Sequence, residues 1–141
     1  MLYGAMLAGQ AFANAPVAAV HALAYPLGGH YHIAHGLSNS LVLPHVLRFN
    51  LSEATQAYAE LAHVINPYAR AKPLTLAEYF IEAMQTLINA VKLPKTLRQM
   101  NIPESDLPML AKDAMLQQRL LMNNPRLITE ADALMIYQAA Y

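Results

Sequence analysis

The chain has 141 residues, of which 56% are hydrophobic and 13% charged, and its length is that of one domain, residues 1–141, with a sizeable core. Nine Lys and Arg balance nine Asp and Glu without a basic cluster, which argues against nucleic acid as a partner. The absence of cysteine excludes disulfides and thiolate chemistry, and it is typical of a cytoplasmic protein.

The first fifteen residues, MLYGAMLAGQAFANA, are apolar but contain no Lys or Arg, so the basic start of a secretory signal peptide is missing. Gln10, Asn14 and Pro16 interrupt the apolar run before it could cross a membrane. The pattern predicts a helix over residues 2–13 without an N-cap, followed by a break at Asn14 to Pro16.

Two further helices are predicted in the N-terminal third of the chain. One runs from Pro16 to Tyr25 and ends at Pro26, with Gly28 and Gly29 forming a turn. The other, residues 35–50, is apolar and tolerates Pro44 as a kink.

The middle of the chain carries two amphipathic patterns. Ser52 is a candidate N-cap for a helix that ends at Asn66-Pro67. Thr75 and Glu78 have the spacing of a capping box, in which each side chain satisfies a free backbone donor at the start of a helix. The helix behind this box carries an apolar stripe at i, i+3, i+4 and i+7 spacing up to Val91.

The C-terminal part predicts a helix over residues 106–121 and a last helix capped by Thr129 and Asp132. Its apolar side is predicted to carry Leu134, Met135 and Tyr141. No strand pattern or hairpin signal occurs, so the predicted fold class is all-α, a helical bundle.

Four of the six histidines lie in the segment HALAYPLGGHYHIAHG, residues 21–36. His21 and Tyr25 lie four residues apart on one helical face, and a turn at the glycines could fold His35 back towards His21. Two imidazoles would then converge, as ligands for Zn, Fe, Cu or Ni that need further donors. The alternative is that these histidines bind backbone or water at helix ends, and the spacing alone leaves both open.

The other histidines carry less information. His30 and His32 flank Tyr31 in a predicted loop, where they could line a cleft, bind metal adventitiously or simply be solvated. His45 and His63 lie inside predicted helices and are interpreted as structural.

The segment GAMLAGQAFANAPVAAVHALAYPLGGHYHIAHGLSNSLVLPHVLRFN, residues 4–50, closely resembles the metal-binding stretch of the iron-containing (group III) alcohol dehydrogenases. The last fifteen residues, LITEADALMIYQAAY, are similar to the C-terminal end of the same family. The most specific motif is H-x3-[HY]-PLGG-x5-HG, residues 21–36. The likeness extends over essentially the whole chain.

The resemblance implies a metal site and a reaction. In that family a divalent iron, sometimes replaced by zinc, is held by an upstream Asp and His and by two further histidines, which match His21 and His35. The implied reaction is reversible oxidation of an alcohol to a carbonyl with NAD(P), the metal acting as Lewis acid. Many relatives have a histidine, proposed to relay a proton, where this chain has Tyr25. A phenol, with an ordinary pKa of about 10, is the poorer relay, so Tyr25 is expected either to relay the proton or to shape the substrate pocket.

The chain lacks other features of that family. It has no glycine-rich phosphate loop, no preceding strand and no upstream Asp and His, so it is expected to be the isolated C-terminal domain, without the N-terminal α/β cofactor domain. Alone it would be inactive and would not bind NAD(P). Its partners would be a small alcohol or aldehyde substrate in the intact enzyme, and either further copies of itself or the missing N-terminal domain.

Two alternatives remain open. One is a non-catalytic helical assembly or binding module whose apolar surface is covered by self-association. The other is a zinc-using relative, such as a polyol dehydrogenase.

Overall fold

The computed structural model describes residues 1–141 and contains helices and no strand, which confirms the all-α class. No helix has the length and apolarity needed to cross a bilayer. Arg98–Met100 and Glu104–Asp106 form two short 3-10 helices. The seven α-helices are α1 (Leu2–Asn14), α2 (Ala19–Tyr31), α3 (His35–Ile65), α4 (Pro73–Ala90), α5 (Leu107–Ala114), α6 (Gln118–Leu121) and α7 (Glu130–Ala139).

The main hydrophobic core contains 22 buried residues, which come mostly from α2, the first half of α3, α5, α6 and α7. Leu23 and Leu27 of α2 are completely buried in it, one helical turn apart. The buried hydroxyl of Tyr137 in α7 donates a hydrogen bond of 2.6 Å to the backbone oxygen of Leu23. Helix α2 is therefore fixed by the core on one side and by α7 through a directional bond.

Helix α4 packs chiefly on the second half of α3 and forms a separate, smaller core with it. This smaller core consists of two clusters, one with Tyr58, Ala77 and Ile81 and the other with Ala62 and Leu76. Helices α3 and α4 thus make a hairpin with its own apolar seam, apart from the main core.

Helix α1 has the predicted extent to within a residue, and it has no side-chain cap. None of its residues is buried. Five large apolar side chains of this helix are exposed: Leu2, Tyr3, Met6, Leu7 and Phe12.

The predicted end of α2 is wrong. The helix begins at Ala19 rather than Pro16 and continues through Pro26 to Tyr31, so Gly28 and Gly29 are helical. Burial of the apolar face of α2 outweighs the loss of the hydrogen bond that a proline nitrogen cannot make. The chain reverses instead after His32, which has a left-handed φ of 54°.

The predicted boundary at Ser52 is also wrong, because α3 is a single helix of 31 residues. It contains Pro44 and passes through Ser52, which is exposed. Residues on either side of the expected boundary, including Phe49 and Ala54, are buried on the same helix. The predicted end at Asn66 is confirmed.

The capping box at Thr75 and Glu78 does not form. Helix α4 begins three residues earlier than this box predicts, with Pro73 at its first position and Lys72, instead of Thr75, as N-cap. Proline suits this position because its φ is already helical and no backbone donor is lost. At α7, by contrast, the box of Thr129 and Asp132 is present with both of its hydrogen bonds.

The predicted helix over residues 106–121 is divided into α5 and α6. If α5 continued as one straight helix with its buried face towards the core, Leu121 would be buried but Leu120 would point away from the core. The break between α5 and α6 allows both residues to be buried. On α7 the buried residues are Ala133, Ile136 and Tyr137, while the predicted Met135 is 51% exposed. The predicted Leu134 and Tyr141 pack at the edge of the core.

Candidate metal centre

The structure brings His21, Tyr25 and His35 together. His21 is near the start of α2, Tyr25 is one turn later, and His35 is the first residue of α3. The chain reversal between the two helices places the ring centroids of His21 and His35 5.1 Å apart and those of Tyr25 and His35 6.2 Å apart. The convergence predicted for the two imidazoles is present, although the reversal that produces it lies after the glycines.

Burial and charge favour the neutral form of the inner imidazole. The pKa of His21 is lowered, first because the ring is partly buried and second because His35 is close. A neutral imidazole has a free lone pair on one ring nitrogen, and this form binds metals. His35 and Tyr25 are exposed to solvent.

Asn39 is the polar side chain at this site that the sequence reasoning missed. It lies on α3, one turn after His35, and its Nδ2 is 3.1 Å from Nε2 of His35 and 3.4 Å from Nε2 of His21. Its Oδ1 is buried without a hydrogen-bond partner. The i+4 spacing from His35 is the sequence signal that could have identified it.

The remaining histidines do not join this pair. Nε2 of His30 lies 2.5 Å from a carboxylate oxygen of Asp113 in α5, a partner that no local pattern indicates because it is 83 residues away. His32 is exposed at the chain reversal. His45 and His63 lie within α3 as predicted, His45 partly buried and His63 exposed.

Two clefts lie beside the site. One, of about 190 Å³, is lined by Tyr25, His30 and Asp113 among others. The other, of about 410 Å³, is mostly apolar and is lined by His21, Leu43 and Tyr58 among others. Tyr25 and His21 therefore each face a space in which a small molecule could lie.

The donor set is two imidazoles and one amide. No group of three or more His, Asp or Glu side chains in the structure is arranged to hold a metal ion. The structure therefore provides two imidazole ligands, and a metal bound by them would need further donors from outside this group of residues.

Residues 1–141, the whole chain, match the family model described as Fe-containing alcohol dehydrogenase family, C-terminal. The chain belongs to this family. It corresponds to the family's C-terminal helical domain.

Relatives and solved structures agree with this assignment. Over its full length the chain is 44% identical to long-chain-alcohol dehydrogenase 1 of Geobacillus thermodenitrificans and 35% identical to 1,3-propanediol dehydrogenase of Klebsiella pneumoniae. A crystal structure of 1,3-propanediol oxidoreductase superposes on 99% of the chain with a TM-score of 0.92 and 35% identity. The chain spans 36% of the length of each of these relatives and of that structure.

The residues present fit part of an iron site. Both Nε2 atoms lie within hydrogen-bond distance of one atom, Nδ2 of Asn39, so the two rings face a common point. Imidazole nitrogen is an accepted ligand for divalent iron and for zinc. His21 and His35 therefore fit as two ligands of such a metal.

Proposed function

We propose that this chain is the metal-binding domain of an iron-dependent, NAD(P)-linked alcohol dehydrogenase. The observation that carries the proposal is the convergence of His21 and His35 at a ring-centroid distance of 5.1 Å in a chain of this family. The substrate is an alcohol or aldehyde, by analogy with the relatives, and the same proposal assigns the protein to the cytoplasm.

His21 and His35 would hold the metal, with the remaining ligands and the NAD(P) site supplied by an N-terminal α/β domain. The chemistry that divalent iron supplies at such a site is Lewis-acid polarisation of an alcohol or carbonyl oxygen, while a nicotinamide carries the hydride. Zinc could replace iron, as in a polyol dehydrogenase relative, because imidazole binds both metals.

Tyr25 would act at the substrate side of this site. Its ring is 43% exposed, close to His35, and lines the smaller cleft. From there its hydroxyl could donate or accept a proton between substrate and solvent, or shape the pocket. Full-length enzyme with Tyr25→Phe separates these roles: a relay loses kcat, whereas a pocket wall changes KM with kcat nearly unchanged.

The test of the proposal is anaerobic calorimetric titration of the 141-residue chain with Fe(II), and separately with Zn(II). Weak binding is expected in the wild type and is lost in His21→Ala/His35→Ala, because two ligands form only part of a metal site. His63→Ala, which removes an exposed histidine from α3, is the matched control and should bind like the wild type. Equal binding by the double variant would disprove the proposed site.

We expect no turnover of NAD with a short alcohol by this chain alone, and activity on mixing with a separately produced N-terminal half. Turnover by the chain alone would contradict the assignment of the missing ligands and cofactor site to another domain. Restored activity would support that assignment.

A second candidate function is self-assembly, and the exposed apolar side chains of α1 favour it. In this second candidate, the apolar side chains of α1 in one copy pack against α1 of another copy. Light scattering would distinguish the candidates: a concentration-independent monomer excludes assembly, and a Phe12→Ser variant should dissociate any oligomer formed through α1.

A further inference from the structure

The side-chain amide of Asn39 contacts both histidines of the candidate metal centre. Its Nδ2 lies 3.1 Å from Nε2 of His35 and 3.4 Å from Nε2 of His21, and it makes no other side-chain hydrogen bond. The neighbouring hydroxyls behave differently, because Ser38 donates to the backbone oxygen of Ile33, just before α3, and Ser40 donates to that of Leu37. Asn39 is thus the polar residue of this turn that faces the imidazoles rather than the backbone.

The direction of these bonds fixes the state of both rings. An amide nitrogen donates and cannot accept, so each Nε2 must accept and carry no proton. A neutral imidazole has one N–H, which must then be on Nδ1. The two hydrogens of Nδ2 match the two Nε2 atoms one to one.

We propose that Asn39 is a positioning residue that selects the Nδ1–H tautomer of both His21 and His35 and aims their Nε2 lone pairs at one point. Both Nε2 atoms would then be unprotonated and directed towards the point at which they would hold a metal, once the amide N–H has moved aside. This inference rests on the proposed metal site, but the tautomers can be measured without metal.

The unpartnered oxygen of Asn39 supports the orientation of the amide. As placed, one acceptor, Oδ1, is buried without a partner. Exchanging the amide nitrogen and oxygen would bury two N–H donors there instead, which is the less favourable arrangement. A buried acceptor without a partner requires an explanation, and the double contact to the imidazoles provides it.

The first test is long-range proton–nitrogen NMR of the histidine rings in the metal-free chain at about pH 8, above the ordinary histidine pKa. His21 and His35 should be Nδ1–H tautomers in the wild type. In Asn39→Asp the carboxylate accepts, so both should become Nε2–H, and in Asn39→Leu the Nδ1–H preference should disappear. Asn89→Asp, an exposed site with the same change of charge, should leave both rings unaltered.

The second test is the affinity for Zn(II). The amide orients both rings but is itself displaced when a metal is held, and we expect the orientation to outweigh the displacement, so Asn39→Leu should bind Zn(II) more weakly than the wild type. Equal or tighter binding by a folded Asn39→Leu variant would overturn the positioning role. Circular dichroism checks that each variant folds, and the nearly isosteric Asn39→Asp keeps the tautomer test available if the leucine variant does not.

The possible failures are distinguishable. Nε2–H tautomers in the wild type, or tautomers unchanged in both Asn39 variants, overturn the inference even if Zn(II) binds through His21 and His35. Tautomers that shift as expected, in a chain that binds no metal, overturn the proposed metal site and leave the tautomer selection by Asn39 standing.

Discussion

The hydroxyl of Tyr31 donates a hydrogen bond of 2.5 Å to the Asp106 carboxylate, which joins the C-terminal end of α2 to the start of α5. Hydrogen bonds from Tyr31 and then Ser105 hold the pKa of Asp106 below its ordinary value, and His30 acts in the same direction. Burial first, and then the hydrogen bond and charge of Asp106, raise the pKa of Tyr31 to about 12. Both groups therefore link stability to pH.

Asp106→Asn should remove part of the acid sensitivity of the fold. In the wild type the unfolded chain binds a proton on Asp106 near pH 4, while the folded chain resists protonation to lower pH. Stability from this group is therefore complete above about pH 4 and is lost as the pH falls through the lower folded pKa. Thermal midpoints between pH 2 and 6, with the exposed Glu104→Gln as control, measure the effect. An identical pH profile in Asp106→Asn would contradict it.

Sequence reasoning at the residue scale succeeded where chemistry is local and failed where the partner is distant. The convergence of His21 and His35 was predicted correctly because both lie in one specific motif within sixteen residues. The His30–Asp113 contact was not, because it joins positions 83 residues apart. Asn39 was not predicted because it lies inside a helix without a local motif, and its contact with both imidazoles depends on the packing of α2 against α3.

Helix starts show which capping signals were reliable. Three hydroxyl residues were candidates for capping, and only Thr129 makes the hydrogen bonds of a cap. Ser52 lies inside α3, and Thr75 is in the first turn of α4 behind Pro73. Inside a continuous helix the backbone N–H groups are already hydrogen-bonded, and proline at the first helical position has no N–H to satisfy. The hydroxyls of Ser52 and Thr75 therefore do not cap a helix.

Thr129→Ala should lower the free energy of unfolding by about 1 kcal/mol, because it leaves a backbone donor at the start of α7 without its partner. Ser52→Ala should change it by only a few tenths of a kcal/mol, since the site is an exposed helix interior. Urea denaturation of both variants measures the difference. A Ser52→Ala loss as large as that of Thr129→Ala would mean that α3 is interrupted at this point.

At the scale of the whole molecule, the hydrophobic residues form two unequal bodies. The main core includes Leu23 and Leu110 and supports the two histidines, whereas the seam between α3 and α4 is built from small separate clusters around Tyr58 and Ile81. The two bodies are joined through the long helix α3. They are expected to differ in local stability, since the smaller seam buries fewer apolar residues.

Ile81→Ala should loosen α4 selectively. Removing the side chain of this buried residue typically costs about 2–5 kcal/mol, which should appear as faster hydrogen exchange in α4 and the second half of α3. Protection in α2 and α5 should remain. Leu110→Ala, in the main core, is the comparison and should accelerate exchange throughout. Uniform acceleration by Ile81→Ala would show that the chain unfolds as one unit.

The sequence by itself determined the helical class, the extent of α1, the capped start of α7 and the pair of histidines, because helical periodicity, capping and a short motif are local properties. Only the tertiary structure decided that α2 continues through Pro26, that α3 does not stop at Ser52, and that the chain reverses at His32. It also decided that Asn39 faces both imidazoles. In each of these cases the deciding free energy comes from burial or hydrogen bonding between helices. That contribution does not exist until they pack together.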